Sequence, residues 1–340
     1  MSSRAFITGV SGLELGAAER EFIRAERPWG FILFKRNVET PDQVTALVKE
    51  LRSCLGETDA PVLIDQEGGR VARLGPPHWP AYPPGAAFGA LYDRDPALGL
   101  RAARLSSRLI AADLIELGVT VDCLPLADVP VPGADAVIGN RAYGTEPAKV
   151  AAIARAVTGG LEQGGVLPIL KHIPGHGRAT ADSHFRLPTV DTPREELERT
   201  DFAAFRPLAD LPMAMTAHVV FSALDPAQPA TTSATIIRQV IRGQIGFQGL
   251  LMSDDVSMNA LAGSIAERTR AIVNAGCDMV LHCNGKLDEM RDVARETPEL
   301  TGDALQRARR ALASRKPPEP LDRQAVRAEL DALLDRIGTA

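Results

Sequence analysis

The sequence lacks long apolar runs and dense basic clusters. No segment of its 340 residues approaches eighteen consecutive apolar residues, which excludes a membrane-spanning helix. The 38 basic and 43 acidic residues give a net charge of −5, and no block of five or six basic residues is present. We therefore expect neither a membrane nor a nucleic acid as a partner.

Cysteine is also scarce. Cys54, Cys123, Cys277 and Cys283 lie in or beside apolar segments and form no Cys-x-x-Cys pair. Buried, reduced thiols are expected from this pattern. The N-terminal stretch MSSRAFITGVSGLEL has too few consecutive apolar residues for a secretory signal. Together these features predict a soluble, cytoplasmic protein.

Eight short apolar runs, each bounded by turn residues, have the pattern of buried parallel strands. They are AFITGV (5–10), GFILFK (30–35), PVLID (61–65), VTVDCL (119–124), VLPILKH (166–172), PMAMTAH (212–218), GLLMSD (249–254) and DMVLHC (278–283). Helical patterns lie between most of them. Capping boxes at Thr40-Pro41-Asp42-Gln43 and Thr192-Pro193-Arg194-Glu195 predict two helix starts.

Strands that alternate with helices predict an α/β protein with a parallel sheet. A count of eight favours a closed TIM-type (β/α)8 barrel over an open doubly wound sheet. We expect a single domain over residues 1–340. Within it, the helical segment 286–340, broken by KPPEP (316–320), is too short to bury much apolar surface alone, so its helices should pack on the barrel.

Ionisable residues stand at the carboxyl ends of the predicted strands, where barrel enzymes place their active sites. They are Asp65, Lys171, His172, His218, Asp254, Asp255 and His282. A buried charge costs desolvation free energy unless it is paired or used, so the pattern favours an active site. Gly68 and Gly69 indicate a close backbone approach near Asp65, favouring a ligand contact there. His218 and His282 could instead be hydrogen-bonded rim histidines, and His78, between prolines, is expected at the surface.

The segment KHIPGHGRATADSHFRLP (171–188) holds three of the six histidines. Its prolines and glycines exclude the regular helix that would bring His172, His176 and His184 together as metal ligands, so no metal is expected. Asp182-Ser183-His184 places a carboxylate two residues before an imidazole, which suits proton transfer. A solvated loop without a catalytic role is the alternative.

Asp254 or Asp255, at the end of the seventh predicted strand, would be the nucleophile of a two-step displacement at a sugar carbon. Neighbouring side chains of a strand point to opposite faces, so only one of the two can face the barrel mouth. These residues alone leave the choice open.

Four motifs, LIDQEGGRVAR, IGNRAYG, KHIPGHGRATADSHFRLP and GLLMSDDVSM, together resemble the β-N-acetylhexosaminidases of glycoside hydrolase family 3. The similarity is to the single-barrel enzymes of bacterial peptidoglycan recycling, and it runs from about residue 5 to residue 285 with the motifs in the family order. Ile173 is a departure, because the family more often has an aromatic residue there.

The resemblance implies a retaining β-N-acetylglucosaminidase. It would remove terminal β-linked N-acetylglucosamine from peptidoglycan fragments, the GlcNAc-anhydromuramyl peptides, through a covalent glycosyl-enzyme intermediate. Asp254 would be the nucleophile and His184 the acid/base, oriented by Asp182, in place of the usual carboxylate pair. The resemblance also implies sugar-binding roles for five residues, Asp65, Arg73, Arg141, Lys171 and His172, whereas His176 would shape the loop.

No cofactor is expected. The partner would be a small carbohydrate or muropeptide substrate, bound by a monomer. Two alternatives stay open: a phosphorylase that uses phosphate in place of water, and a non-catalytic sugar-binding barrel. A metal-dependent barrel hydrolase is the least favoured alternative.

Overall fold

The centre of the structure is a parallel sheet of nine strand segments. The computed structural model describes residues 3–183 and 186–338. The segments are β1 Arg4–Thr8, β2 Pro28–Leu33, β3 Val62–Ile64, β4 Val121–Asp122, β5 Leu167–Pro168, β6 Leu170–Ile173, β7 Met213–Thr216, β8 Leu250–Asp255 and β9 Met279–His282. Their order in the sheet is β5-β4-β3-β2-β1-β9-β8-β7-β6, and every neighbouring pair is parallel.

The two edges of this sheet, β5 and β6, are separated in the chain by Ile169 alone. Hydrogen bonds from the Ile169 amide to the Leu124 carbonyl (2.7 Å) and from the Lys171 amide to the Pro125 carbonyl (3.0 Å) continue the ladder past β4. The sheet is therefore a nearly closed barrel of eight strands, the fifth of which is split. This confirms the predicted α/β, TIM-type barrel.

Helices surround the barrel. They are α1 Ala17–Glu26, α2 Pro41–Leu55, α3 Gly85–Arg94, α4 Pro96–Glu116, α5 Pro147–Gln163, α6 Arg194–Arg199, α7 Asp201–Phe205, α8 Ile265–Ala275, α9 Leu287–Glu296, α10 Gly302–Ala313 and α11 Arg323–Gly338. A π-helix, Ile236–Ile245, lies between β7 and β8, and 3-10 turns form at Lys35–Asn37, Gly139–Arg141, Arg206–Leu208 and Ala230–Thr232. Two further strand pairs, Gln66–Gly68 with Val71–Ala72 and Thr189–Val190 with Val220–Phe221, lie outside the barrel.

Both predicted helices begin within one residue of the predicted position, but only the first has the predicted cap. The Thr40 hydroxyl accepts a hydrogen bond from the Gln43 amide at the start of α2, although the Gln43 side chain accepts from Glu39 instead of closing the box. The capping box at Thr192 is absent, because α6 begins after Pro193 without a side-chain cap. The Thr192 hydroxyl lies instead against Arg178, at 3.5 Å.

Alternate residues of the strands point into the barrel or out to the helices. Inward-facing Ile7, Leu63 and Leu250 belong to one apolar cluster that also contains Ala308 of α10 and Leu300 just before it. Helix α10 therefore closes the barrel at the amino-terminal ends of the strands, away from the carboxyl ends where chemistry is expected.

The remaining sequence expectations concern cysteine and the membrane. All four cysteines are buried and free. Over residues 3–183 and 186–338, none of the helices is both long and apolar enough to span a bilayer. Helix α11 packs on α3 and α4 at the outside of the barrel.

Candidate active site

A cavity of about 440 Å³ opens at the carboxyl ends of the barrel strands. Its volume lies within the range of small-molecule sites, roughly 300–1,000 Å³. It is lined by seven of the eight predicted site residues: Asp65, Arg73, Arg141, Lys171, His172, Asp182 and Asp254. The eighth, His184, lies outside the described residues. Parallel strands end at one rim, which is why residues far apart in sequence meet here.

A network of alternating charges, here called the cation wall, consists of Asp65, Arg73, Arg141 and Lys171 at the cavity and Glu67 behind them. The Lys171 ammonium lies 2.8 Å from Asp65 Oδ1 and 2.6 Å from Glu67 Oε1. Arg73 donates to Asp65 at 3.0 Å, and Arg141 binds Glu67 through two hydrogen bonds of 2.8 and 2.7 Å. Each charged group therefore has at least one opposite partner.

These pairs control the ionisation of the cation wall. Burial acts to raise the pKa of Asp65, but the charges of Lys171 and Arg73 outweigh it and hold that pKa well below its usual range. Burial also acts to raise the pKa of Glu67, but the charges of Lys171 and Arg141 outweigh it and lower that pKa to about 2. Burial acts to lower the pKa of Lys171, whereas Asp65 and Glu67 raise it above its ordinary value. At neutral pH Asp65, Glu67 and Lys171 are therefore charged, and charged groups form stronger hydrogen bonds than neutral ones.

Behind the cavity, Asp128 binds two histidines, His172 in β6 and His176 in the loop that follows it. Its Oδ2 lies 2.7 Å from Nδ1 of His172, and its Oδ1 accepts the backbone amide of His176 at 2.7 Å. Asp128 is fully buried. Burial acts to raise the pKa of Asp128, but His172 and His176 lower it, so this carboxylate is ionised.

His176 shapes the loop from inside it. Its Nε2 lies 3.0 Å from the Ser183 hydroxyl, and this contact joins the two ends of the segment from His176 to Ser183. Burial, followed by the neighbouring His172, lowers the pKa of His176 from 6.5 to about 4. The imidazole is therefore neutral at neutral pH and acts as a structural hydrogen-bonding group.

The same loop is anchored on its outer side by Arg178. Its guanidinium lies 2.6 Å from the buried carboxylate of Asp201 and 2.9 Å from Glu196. Because Asp201 begins α7 and Glu196 lies in α6, the loop is held against two helices.

Asp254 and Asp255 both line the cavity at the end of β8, but their surroundings differ. Asp255 accepts hydrogen bonds from the Ser257 amide (3.0 Å), the Ser257 hydroxyl (2.6 Å) and the Cys283 amide (3.1 Å). Its two oxygens thus hold the loop after β8 and the end of β9 together. Asp254 accepts the Asp255 amide at 2.8 Å through Oδ1.

The other singled-out histidines have separate positions. His218 is a buried rim histidine, as expected in one alternative, with its ring 2.7 Å from the Thr231 hydroxyl and 3.0 Å from the Asp255 carbonyl. His282 is buried at the end of β9, and its Nε2 lies 3.5 Å from Glu289. His78 is exposed, as expected.

The interpretation of Gly68 and Gly69 changes. Both have positive φ, 94° and 57°, and a side chain at either position would meet Pro83 or Pro84. The close approach that these glycines permit is to the protein's own backbone, because the segment from Gln66 to Ala72 turns back under Pro83.

Sequence reasoning missed Glu67 and Asp128. Glu67 lies two residues after Asp65 in DQEGGR, so the alternation of a strand would have placed both side chains on one face. Asp128 lies well past β4, and no local pattern marks it. Over residues 3–183 and 186–338, no group of three or more His, Cys, Asp or Glu side chains is arranged to hold a metal ion.

Comparisons with known proteins agree with this geometry. Residues 9–313 match the family model of the glycosyl hydrolase family 3 N terminal domain. A beta-hexosaminidase of Alkalilimnicola ehrlichii is 40% identical over 282 residues, covering 81% of this chain and 79% of that protein. A beta-hexosaminidase of Bordetella avium is 37% identical over 316 residues, covering 91% and 88%.

A solved structure is also similar. The crystal structure of NagZ from Neisseria gonorrhoeae in complex with N-trifluoroacetyl-D-glucosamine superposes with a TM-score of 0.85 and 30% identity, covering 99% of this chain and 98% of that one. The family match spans most of the chain, and residues from all four motifs line one cavity. The chain therefore belongs to glycosyl hydrolase family 3 and is a glycoside hydrolase of the β-hexosaminidase type.

Proposed function

We propose that the protein is a retaining β-N-acetylglucosaminidase that removes terminal β-linked N-acetylglucosamine from GlcNAc-anhydromuramyl peptides. The observation that carries the proposal is that one cavity of sugar size is lined by Asp254, Asp182 and four residues of the cation wall, Asp65, Arg73, Arg141 and Lys171. The ligand named for the gonococcal structure, an N-acylated glucosamine, supports the choice of sugar.

In this proposal a carboxylate oxygen of Asp254 attacks the anomeric carbon and forms the glycosyl-enzyme ester as the bond to the leaving oxygen breaks. His184 gives its proton to that oxygen, and Asp182 orients the imidazole. Water then attacks the anomeric carbon, His184 takes a proton from it, and Asp254 leaves. Asp255 is the poorer candidate for nucleophile, because its oxygens hold Ser257 and Cys283.

The cation wall and His172 would bind the sugar. Asp65, Arg73, Arg141 and Lys171 carry fixed charges held by their mutual pairs, so their remaining donor and acceptor positions are preorganised toward the cavity. The same proposal includes a single catalytic domain over residues 1–340, with 286–340 as helices on the barrel, acting as a cytoplasmic monomer.

The first experiment measures nitrophenol release from the β-N-acetylglucosaminide and the β-glucoside, with and without phosphate. Turnover of the N-acetylglucosaminide alone, unaffected by phosphate, is the expected result. Formation of sugar 1-phosphate would show that the enzyme is a phosphorylase and not a hydrolase. Binding without turnover by the folded protein would support a sugar-binding barrel, and glucoside turnover would change the substrate class.

A second experiment tests the acid/base role of His184 through the leaving group. Activated aryl glycosides need little protonation, whereas a sugar leaving group needs it fully. His184→Ala should therefore slow the disaccharide GlcNAc-anhydromuramic acid more than the nitrophenyl glycoside. Equal losses on both substrates would reject the role.

A further inference from the structure

We propose that Asp128 is a positioning residue that makes Nε2 of His172 an acceptor for a sugar hydroxyl and couples this contact to the loop that carries Asp182. The inference rests on the proposed function of the cavity. Asp128 is fully buried and is not among the residues that line the cavity, so it acts only through the groups that it binds.

The contact with Asp128 fixes the tautomer of His172. Nδ1 lies 2.7 Å from a carboxylate oxygen of Asp128. Because a carboxylate accepts hydrogen bonds and does not donate them, Nδ1 carries the proton. Within residues 3–183 and 186–338, Nε2 makes no hydrogen bond to protein, and His172 lines the cavity. In the neutral ring, Nε2 is the acceptor presented to the ligand.

The other carboxylate oxygen of Asp128, Oδ1, binds the backbone of the same segment. Oδ1 of Asp128 accepts the backbone amide of His176 at 2.7 Å, and that of His172 at 3.3 Å. His176 then contacts the Ser183 hydroxyl at 3.0 Å, one residue from Asp182. One buried carboxylate therefore holds the ring of a sugar-binding residue and the start of the proposed acid/base segment.

The two connections can be separated by substitution. Asp128→Asn can keep its carbonyl oxygen on the His176 amide, but its NH2 group then faces His172. That donor requires an acceptor at Nδ1, so the proton moves to Nε2. Nε2 then faces the sugar as a donor and no longer as an acceptor. Ser183→Ala removes only the contact to His176 and leaves the His172 tautomer unchanged.

The test uses nitrophenyl N-acetylglucosaminides with fluorine in place of the 3-, 4- or 6-hydroxyl. Wild type should lose roughly tenfold or more in kcat/KM on one analogue, because fluorine cannot donate to Nε2. Asp128→Asn should raise KM for the parent glycoside and shrink that analogue's penalty severalfold, whereas Ser183→Ala should keep the wild-type analogue profile. A wild-type profile in Asp128→Asn would overturn the proposal.

A second measurement needs no folded variant of Asp128. The ring nitrogens of wild-type protein labelled with ¹⁵N-histidine report the tautomer by NMR, with His172 assigned through His172→Gln. A proton on Nδ1 and none on Nε2 is the expected result. A proton on Nε2 would overturn the proposal even if the enzyme hydrolyses N-acetylglucosaminides, whereas an inactive wild type would reject the proposed function separately.

Discussion

The two ends of the barrel are built on opposite principles. At the carboxyl ends of the strands, buried charges surround a cavity of about 440 Å³. At the amino-terminal ends, the apolar side chains of the strands pack on α10, with Leu300, Ala308 and Ala311 in the same cluster. Asp278, just before β9, binds Arg307 of α10 at 2.8 Å and Arg242 at 2.7 Å.

The difference shows how one fold separates stability from chemistry. Apolar burial at the closed end contributes about 25 cal/mol per Å² without directional requirements. The open end instead holds charges that are costly to bury. They stay ionised because each has an oppositely charged partner within hydrogen-bond distance. Substitutions at the two ends should therefore fail in different ways.

The largest effect is expected at the open end, from Asp254→Asn. Loss of the proposed nucleophile should reduce turnover on the order of 10⁴-fold with little change in the unfolding free energy, measured by nitrophenol release and urea unfolding.

Asp255→Asn is the matched control for that substitution. It loses an acceptor for Ser257 or Cys283, so it should destabilise the fold by about 1–3 kcal/mol while keeping far more activity. The reverse ranking of the two variants would assign the nucleophile to Asp255.

Lys171→Met tests the cation wall. Removing the cation leaves Asp65 and the buried Glu67 beside each other with one arginine partner each, so the unfolding free energy should fall by about 4 kcal/mol, and sugar binding should weaken. Lys149→Met is the control, because the partner of Lys149, Asp93, is exposed. It should change stability by less than about 1 kcal/mol. Equal effects of the two variants would contradict a special role for the buried network.

Leu300→Ala tests the closed end. Leu300 is buried at 2% exposure, and its truncation should cost about 3 kcal/mol in urea unfolding while kcat and KM stay at their wild-type values. Leu300→Met keeps the volume and should cost less than about 1.5 kcal/mol. A large loss of kcat in folded Leu300→Ala protein would show that the two ends are coupled.

The smallest effect concerns pH and His176. Its folded pKa of about 4 lies below its ordinary value of 6.5, so the unfolded chain binds more protons between these values. Stability therefore rises with pH across this window and is lost as the pH falls. From pH 6.5 to 5 the loss should be about 2 kcal/mol, and it should be absent in His176→Gln, as compared by urea unfolding. The same slope in both proteins would exclude His176 as its source.

Local sequence patterns predicted much of the fold and part of the site. The eight apolar runs identified every barrel strand, because buried parallel strands are continuously apolar. Residues at or just after those runs, such as Asp65 and Lys171, were found because the carboxyl ends of parallel strands share one rim. The helix after Thr192 was predicted correctly but its cap was not, because the Thr192 hydroxyl contacts Arg178 and not a backbone amide of α6.

The sequence by itself determined the class of barrel, the strand ends that carry charge and, through its motifs, the family. Only the tertiary structure decided which groups are partners: Glu67 with Lys171 and Arg141, Asp128 with His172, and Asp255 with Ser257 and Cys283. The reason is physical. Strand and helix periodicity are local properties of the chain, whereas a buried charge is stabilised by groups from other strands and loops, which become neighbours only when the barrel closes.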